Sequence, residues 1–201
     1  MEQVVKPKRY LNVYTEASPN PASLKFVLNY MLTPENESFD FPDRTTAEKS
    51  PLATELFEKF PFVERVFVMN NFITVTKKEG YDWLDIAREV KLHIQEYLEQ
   101  EKPIFSVELL QENANLQASE NDTEVVKQIK KVLEEYVKPA VETDGGAIHF
   151  HSFDETTGKV TLTLKGSCSG CPSSTITLKS GIENLLKRMI PQVQEVVAES
   201  M

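Results

Sequence analysis

Between Gln111 and Thr123 the chain reads Gln-Glu-Asn-Ala-Asn-Leu-Gln-Ala-Ser-Glu-Asn-Asp-Thr, with Leu116 as its one large apolar side chain. Such a run cannot bury enough surface to offset the entropy of ordering it, so it reads as a flexible polar linker that splits the chain. Hydrophobic periodicity is strong on both sides of it. The 201 residues therefore divide into a domain over 1–110, a linker over 111–122 and a domain over 123–201, both of ordinary domain size.

In the second domain Val125, Val126, Ile129, Val132, Leu133, Tyr136 and Val137 recur at helical spacing, from the capping pair Asp122-Thr123 to a stop before Pro139. Asp144-Gly145-Gly146 then breaks the chain. Ile148 and Phe150 alternate with His149 and His151, and Val160 to Leu164 alternates after the turn Asp154-Glu155-Thr156-Thr157-Gly158, which predicts an antiparallel hairpin with one buried face. Pro172 opens a second helix carrying Ile176, Leu178, Ile182, Leu185, Leu186, Met189 and Ile190, and Val193 to Ala198 fits a short closing strand.

The first domain is a similar mixture. A strand over Tyr10 to Thr15 leads through Ser18-Pro19-Asn20-Pro21 to Leu24–Leu32, read as a strand. Ser50 caps and Pro51 opens a helix with Leu52, Leu56, Phe57 and Phe60 inward. Val63–Met69 and Phe72–Thr76 form a hairpin across Asn70-Asn71, and a long helix follows with Trp83, Ile86, Ala87, Val90, Ile94, Tyr97 and Leu98 on its buried side. Ile104 to Leu109 reads as a closing strand. The fold class is α+β: two small α+β domains of hairpins and helices, without repeated βαβ units.

A net charge of -9 with no compensating basic cluster argues against nucleic acid as a partner. The acidity is uneven, since residues 1–121 carry 20 acidic and 13 basic side chains against 11 and 9 in the remainder. An acidic first domain suits basic patches on partner proteins. No segment approaches the roughly 18 unbroken apolar residues of a membrane span, and the first nine residues lack an apolar run and a small-residue cleavage site. With both cysteines in one four-residue window, far from the spread of a disulfide framework, the expected location is cytoplasmic.

That window is Gly166-Ser167-Cys168-Ser169-Gly170-Cys171-Pro172-Ser173-Ser174, between a strand and a helix. Two residues between the cysteines let both sulfurs reach adjacent positions of one metal centre. Gly166 and Gly170 permit a tight turn, Pro172 feeds the loop into a helix, and the helix N-terminus favours thiolate over thiol. Ser167, Ser169, Ser173 and Ser174 are further donors within reach of sulfur. Iron-sulfur clusters normally take four cysteine ligands, and this chain has two, so a cluster would be shared with a second chain. A homodimer about a two-fold axis is the simplest closed arrangement. A thiol-disulfide oxidoreductase uses the same spacing, but in a thioredoxin-like βαβ setting, whereas an antiparallel hairpin precedes the motif here. A zinc site would need His93, His149 or His151 as additional ligands. Asp144 reads as a turn residue whose side chain bonds backbone N–H groups rather than as a chemical group.

Pro139, Asp144-Gly145-Gly146, the hairpin and Gly-Ser-Cys-Ser-Gly-Cys-Pro-Ser-Ser resemble the C-terminal domain of NifU and the Nfu-type iron-sulfur scaffolds, over about residues 123–199. The first domain resembles the Nfu N-terminal domain through Thr15, Pro19-Asn20-Pro21, Leu24-Lys25-Phe26, Ser50-Pro51-Leu52-Ala53, Leu56-Phe57 and Asn71 before Phe72-Ile73-Thr74-Val75-Thr76-Lys77. The resemblance implies a non-enzymatic carrier that receives clusters from assembly proteins. It would hold a 4Fe-4S cluster between the Cys168 and Cys171 pairs of two chains and deliver it to apo iron-sulfur proteins, and a 2Fe-2S form is compatible with the same ligands. Two positions depart from the family pattern: Ala147 stands where an acidic residue usually follows the double glycine, and Phe62 where a glycine usually precedes Val63.

Overall fold

A computed structural model describes residues 10–34, 37–116, 122–169 and 172–200. Both domains are α+β, and no helix among the described residues is long and apolar enough to cross a membrane.

Strand β1 (Val13–Ala17) turns at Ser18-Pro19-Asn20-Pro21 into β2 (Ser23–Leu28). Then come β3 (Ser38–Phe41), the short α1 (Arg44–Ala47) and α2 (Pro51–Lys59). The hairpin β4 (Val63–Met69) and β5 (Phe72–Lys77) leads into α3 (Trp83–Glu99) and α4 (Val107–Leu116). Every neighbour in the sheet order β1-β2-β5-β4-β3 is antiparallel. Ser50 caps α2 as its sequence position predicts, accepting from the Ala53 N–H at 3.2 Å, with Pro51 in the first turn. Asn70 takes the left-handed conformation at φ 49° that the β4–β5 turn demands, a region asparagine tolerates.

The strict two-residue alternation sorts this sheet into two faces. Phe26, Leu28, Phe39, Phe41, Val66, Val68, Ile73 and Val75 point toward the helices and form the domain core with Leu52, Leu56, Val90, Ile94 and Tyr97. Lys25, Val27, Ser38, Asp40, Phe67, Met69, Phe72 and Thr74 alternate with them and so point the other way. That second face is not left to water. Val27, Phe67, Met69 and Phe72 are all buried, and they cluster with Ala147 of the C-terminal domain.

The C-terminal domain begins with α5 (Glu124–Val132), passes through a π-helical turn over Leu133–Val137 and continues as α6 (Lys138–Thr143). Strands β6 (Gly146–Asp154) and β7 (Lys159–Gly166) form the expected antiparallel hairpin. Helix α7 (Pro172–Met189) and β8 (Glu195–Ser200) complete the domain. Its core joins Ile129, Val141, Val160, Leu162, Leu164, Leu186 and Val196.

Several expectations are corrected. Residues 107–116 form a helix, so Ile104–Leu109 is no strand, and the segment expected to be a linker is helical as far as Leu116. Residues 117–121 of that segment lie outside the described residues. The helix expected to stop before Pro139 runs on to Thr143, because the Lys138 N–H reaches back five residues to Leu133. Proline has no N–H to donate, and the widened turn accommodates its ring. Insertion of that turn also rotates Tyr136 out of the apolar stripe, where it is 57% exposed. Strand β7 of the hairpin is buried on both faces, since Thr161 and Thr163 are buried as well as Val160, Leu162 and Leu164, while β6 keeps His151 and Ser152 exposed. Finally, β8 pairs in parallel with β7, so β7, α7 and β8 make one βαβ unit.

Candidate metal centre

The cysteine loop leaves the end of β7 at Gly166 and enters α7 at Pro172. Gly166 has φ 64°, and a Cβ there would stand 2.8 Å from both the Gly145 carbonyl oxygen and the Phe67 ring. Only glycine fits, on conformation and on space. Gly146 pairs with Gly166 across the hairpin, which brings the Gly-Gly turn over the loop. A Cβ on Gly146 would lie 2.8 Å from Cys168 Sγ and 2.7 Å from the Lys165 carbonyl oxygen, so the backbone approaches the thiol as closely as it can.

Cys168 is 6% exposed and packs at the edge of the C-terminal core. Ser167 Oγ lies 3.9 Å from its sulfur and donates to the Asp144 carbonyl at 2.7 Å. Ser169 is buried, with its N–H on the Gly166 carbonyl at 3.1 Å, and its hydroxyl has no hydrogen-bond partner among the described residues. Cys171 and Gly170 lie outside the described residues, as do the side chains of Ser173 and Ser174. Helix α7 starts directly after Cys171, so its dipole favours negative charge beside the loop.

Cys168 borders a cleft of about 410 Å³ that both domains line. Asp144, Ser167, Thr177 and Leu178 come from the C-terminal domain, and Ser18, Pro19 and Asn20 from the N-terminal one. Asn20 is 6% exposed and its side-chain amide donates to the Ser167 carbonyl at 3.0 Å, immediately before the cysteine. Sequence reasoning placed Asn20 in a turn and missed this contact. Two flanking prolines signal the turn, but no local signal marks a partner 147 residues away.

Asp144 ends α6, and it is its carbonyl that closes the turn, accepting from Ser18 Oγ at 3.0 Å and Ser167 Oγ. Among the described residues its carboxylate takes no backbone N–H, and this main-chain role stands in place of the expected bonding. Burial raises the Asp144 carboxyl above its ordinary value, and Lys25 opposes the rise. The histidines part company. A bulge between Phe150 and Ser152 breaks the alternation, leaving His151 exposed while His149 Nε2 meets Ser38 Oγ at 3.0 Å. Burial, aided by Lys165 and Lys138, pushes the His149 ring down to about 4. His93 is buried on α3 between Lys59, 2.9 Å from Nδ1, and Glu55. Among the described residues no three His, Cys, Asp or Glu side chains gather as metal ligands.

These features define a two-domain α+β protein whose second domain presents a thiol loop at a helix start, beneath a wall supplied by the first. Residues 13–101 match the family model described as scaffold protein Nfu/NifU N terminal, and residues 129–197 match the NifU-like domain. The NFU1 iron-sulfur cluster scaffold homolog, mitochondrial, of Drosophila sechellia is 39% identical over 189 residues, 94% of this chain and 65% of that one. A NifU-like protein of Schizosaccharomyces pombe is 38% identical over 190 residues, covering 94% of this chain and 73% of its own. NifU-like protein 4, mitochondrial, of Arabidopsis thaliana is 38% identical over 194 residues, covering 96% and 67%. The chain belongs to the Nfu/NifU family of iron-sulfur cluster scaffold proteins, and it spans about two thirds of the length of these relatives.

The Drosophila and Arabidopsis relatives are named mitochondrial, which overturns the cytoplasmic expectation. Two cysteines inside one four-residue window argue for a reducing compartment, and the cytoplasm is one among such compartments, so that argument does not reach as far as an address. The Ala147 departure finds its place in the fold: its methyl is 1% exposed against Val27, Phe67, Met69 and Phe72, where a carboxylate would be desolvated.

Proposed function

We propose that this chain carries an iron-sulfur cluster, bound as cargo by Cys168 and Cys171 and completed by the same pair from a second copy. It takes the cluster from assembly proteins and passes it to apo iron-sulfur proteins without catalysing a reaction of its own. The observation that carries this reading is the Cys168 thiol, held in a serine-lined loop that borders a cleft and runs into the N-terminus of α7. Thiolate sulfur suits iron, and the helix N-terminus stabilises the anionic form of the ligands. Two cysteines per chain supply half of the usual four-thiolate set, which supports a homodimer bridged by one 4Fe-4S cluster. Ile176, 67% exposed on the early turns of α7, adds apolar surface for a second chain beside the loop. A cluster held at such an interface departs when the interface opens.

A dithiol oxidoreductase gains one point, because β7, α7 and β8 form the βαβ unit that the sequence did not suggest. Family membership outweighs it. Anaerobic reconstitution with iron and sulfide separates the two. Broad visible absorbance with about four irons per dimer supports the carrier, and both are lost in Cys168→Ser. Reduction of insulin disulfides by an iron-free monomer would overturn it.

A further inference from the structure

The second face of the N-terminal sheet ends on the cysteine loop, and the contact is chemically matched. Helix α6 ends in carbonyls that no helical N–H can satisfy. Donors from the other domain take them in succession: Lys25 Nζ to Thr143 at 3.3 Å, Ser18 Oγ to Asp144 at 3.0 Å, and Thr74 Oγ1 to Gly145 at 2.8 Å. The Lys25 ammonium also brings positive charge to the negative end of that helix. Asn20 takes the Ser167 carbonyl. Beside this polar row, Ala147 seats on Val27, Phe67, Met69 and Phe72, and the Gly166 backbone lies flush against the Phe67 ring.

We infer that this sheet face is a docking surface for the chain's own cysteine loop, and that docking there competes with the loop of a second copy. The inference rests on the cluster reading above. A bridged cluster requires the partner's thiolates to meet the same metal centre as Cys168, and therefore to approach from the solvent side of the cleft. In the docked chain that side is walled by Ser18, Pro19 and Asn20, and Cys168 is almost wholly covered. The docked form is thus a monomer with a sheltered thiol. Separation of the domains opens the loop to a second chain, and the donors freed on the sheet face hydrate. The N-terminal domain acts as a reversible cover that keeps the iron-free thiol from reacting until a cluster and a partner arrive.

The test needs no iron. In the full chain carrying Cys171→Ser, Cys168 is the sole thiol, and its alkylation by iodoacetamide reports how often the cover lifts. Met69→Asp and Ala147→Glu each place a charge in the apolar contact from opposite sides, and each is expected to speed alkylation about tenfold or more, since labelling follows the open population. The pair Ser18→Ala with Asn20→Ala removes the two side-chain hydrogen bonds to Asp144 and Ser167, and with them two inside the β1–β2 turn, without touching either core, so it keeps the test valid if a charged variant unfolds, and an intermediate rate is expected. Parent alkylation as fast as in urea, or an unchanged rate in all variants, would overturn the inference. Reconstitution is then run with both cysteines present. If no variant binds a cluster while the alkylation differences hold, the cover stands and the cluster reading falls. If clusters form but the parent thiol was never protected, the cover falls alone.

Discussion

Two glycine-to-alanine substitutions in the C-terminal domain are expected to act with opposite sign, and the contrast tests how the thiol site is built. At Gly181, inside α7, an added methyl meets no atom within 4 Å. Alanine there gains only helix propensity, about 1 kcal/mol of stabilisation. At Gly146 the methyl collides with the Lys165 carbonyl oxygen at 2.7 Å and Cys168 Sγ at 2.8 Å. The carbonyl is pinned in the β6–β7 ladder, so relief must come from the cysteine loop, at an overpacking cost of about 1–3 kcal/mol. For a chain of this length each kcal/mol moves Tm by about 2–4 °C. Thermal unfolding followed by circular dichroism should therefore rise by a few degrees for Gly181→Ala and fall by about 2–12 °C for Gly146→Ala. Equal and positive shifts would refute the close approach of the Gly-Gly turn to the thiol, and with it the account of why the turn belongs to the site.

Three further outcomes follow from buried and ligating groups. The His149 ring should stay neutral down to about pH 4 in histidine-detected NMR. Because its value lies below the ordinary 6.5, its contribution is complete above pH 6.5 and is lost as pH falls toward 4. At most about 3 kcal/mol is at stake, so wild type should lose more stability than His149→Gln across that window, and a ring titrating near 6.5 would contradict its burial. Arg65→Ala strips the buried Asp40 carboxylate of its 2.7 Å partner and should cost about 3–5 kcal/mol in urea unfolding, while Arg65→Met combined with Asp40→Asn should recover most of it. Cys168→Ser should abolish both cluster absorbance and cluster-dependent dimerisation, with the fold unchanged by circular dichroism.

Much of the molecule was legible because its signals are local. Ser50-Pro51 starts a helix wherever it occurs in this pattern, Asn70-Asn71 sets a tight turn, and the alternation in Val160–Leu164 can only be a strand. The Gly-Ser-Cys-Ser-Gly-Cys-Pro window likewise marks a loop between strand and helix, and the structure has β7 ending at Gly166 and α7 starting at Pro172. What escaped was set by distant contacts. Strand β3 is four residues long, too short for periodicity to speak, and exists because it pairs with the edge of β4. The π-helical turn follows from how Pro139 is absorbed. Whether β8 runs parallel or antiparallel to β7 depends on where α7 delivers the chain.

The sequence by itself determined that two α+β domains exist and that one carries a C-x-x-C loop at a helix start. Each of these rests on interactions within a few residues, where propensity and spacing decide. Only the tertiary structure decided that the strand positions alternating with the N-terminal core form a second buried face, that Lys25, Ser18 and Thr74 complete the end of α6, and that Asn20 holds the residue before Cys168. A period of two says that a strand has two faces, but not what covers the second one. That choice belongs to surfaces more than a hundred residues apart in the chain, and it places the thiol beneath a cover.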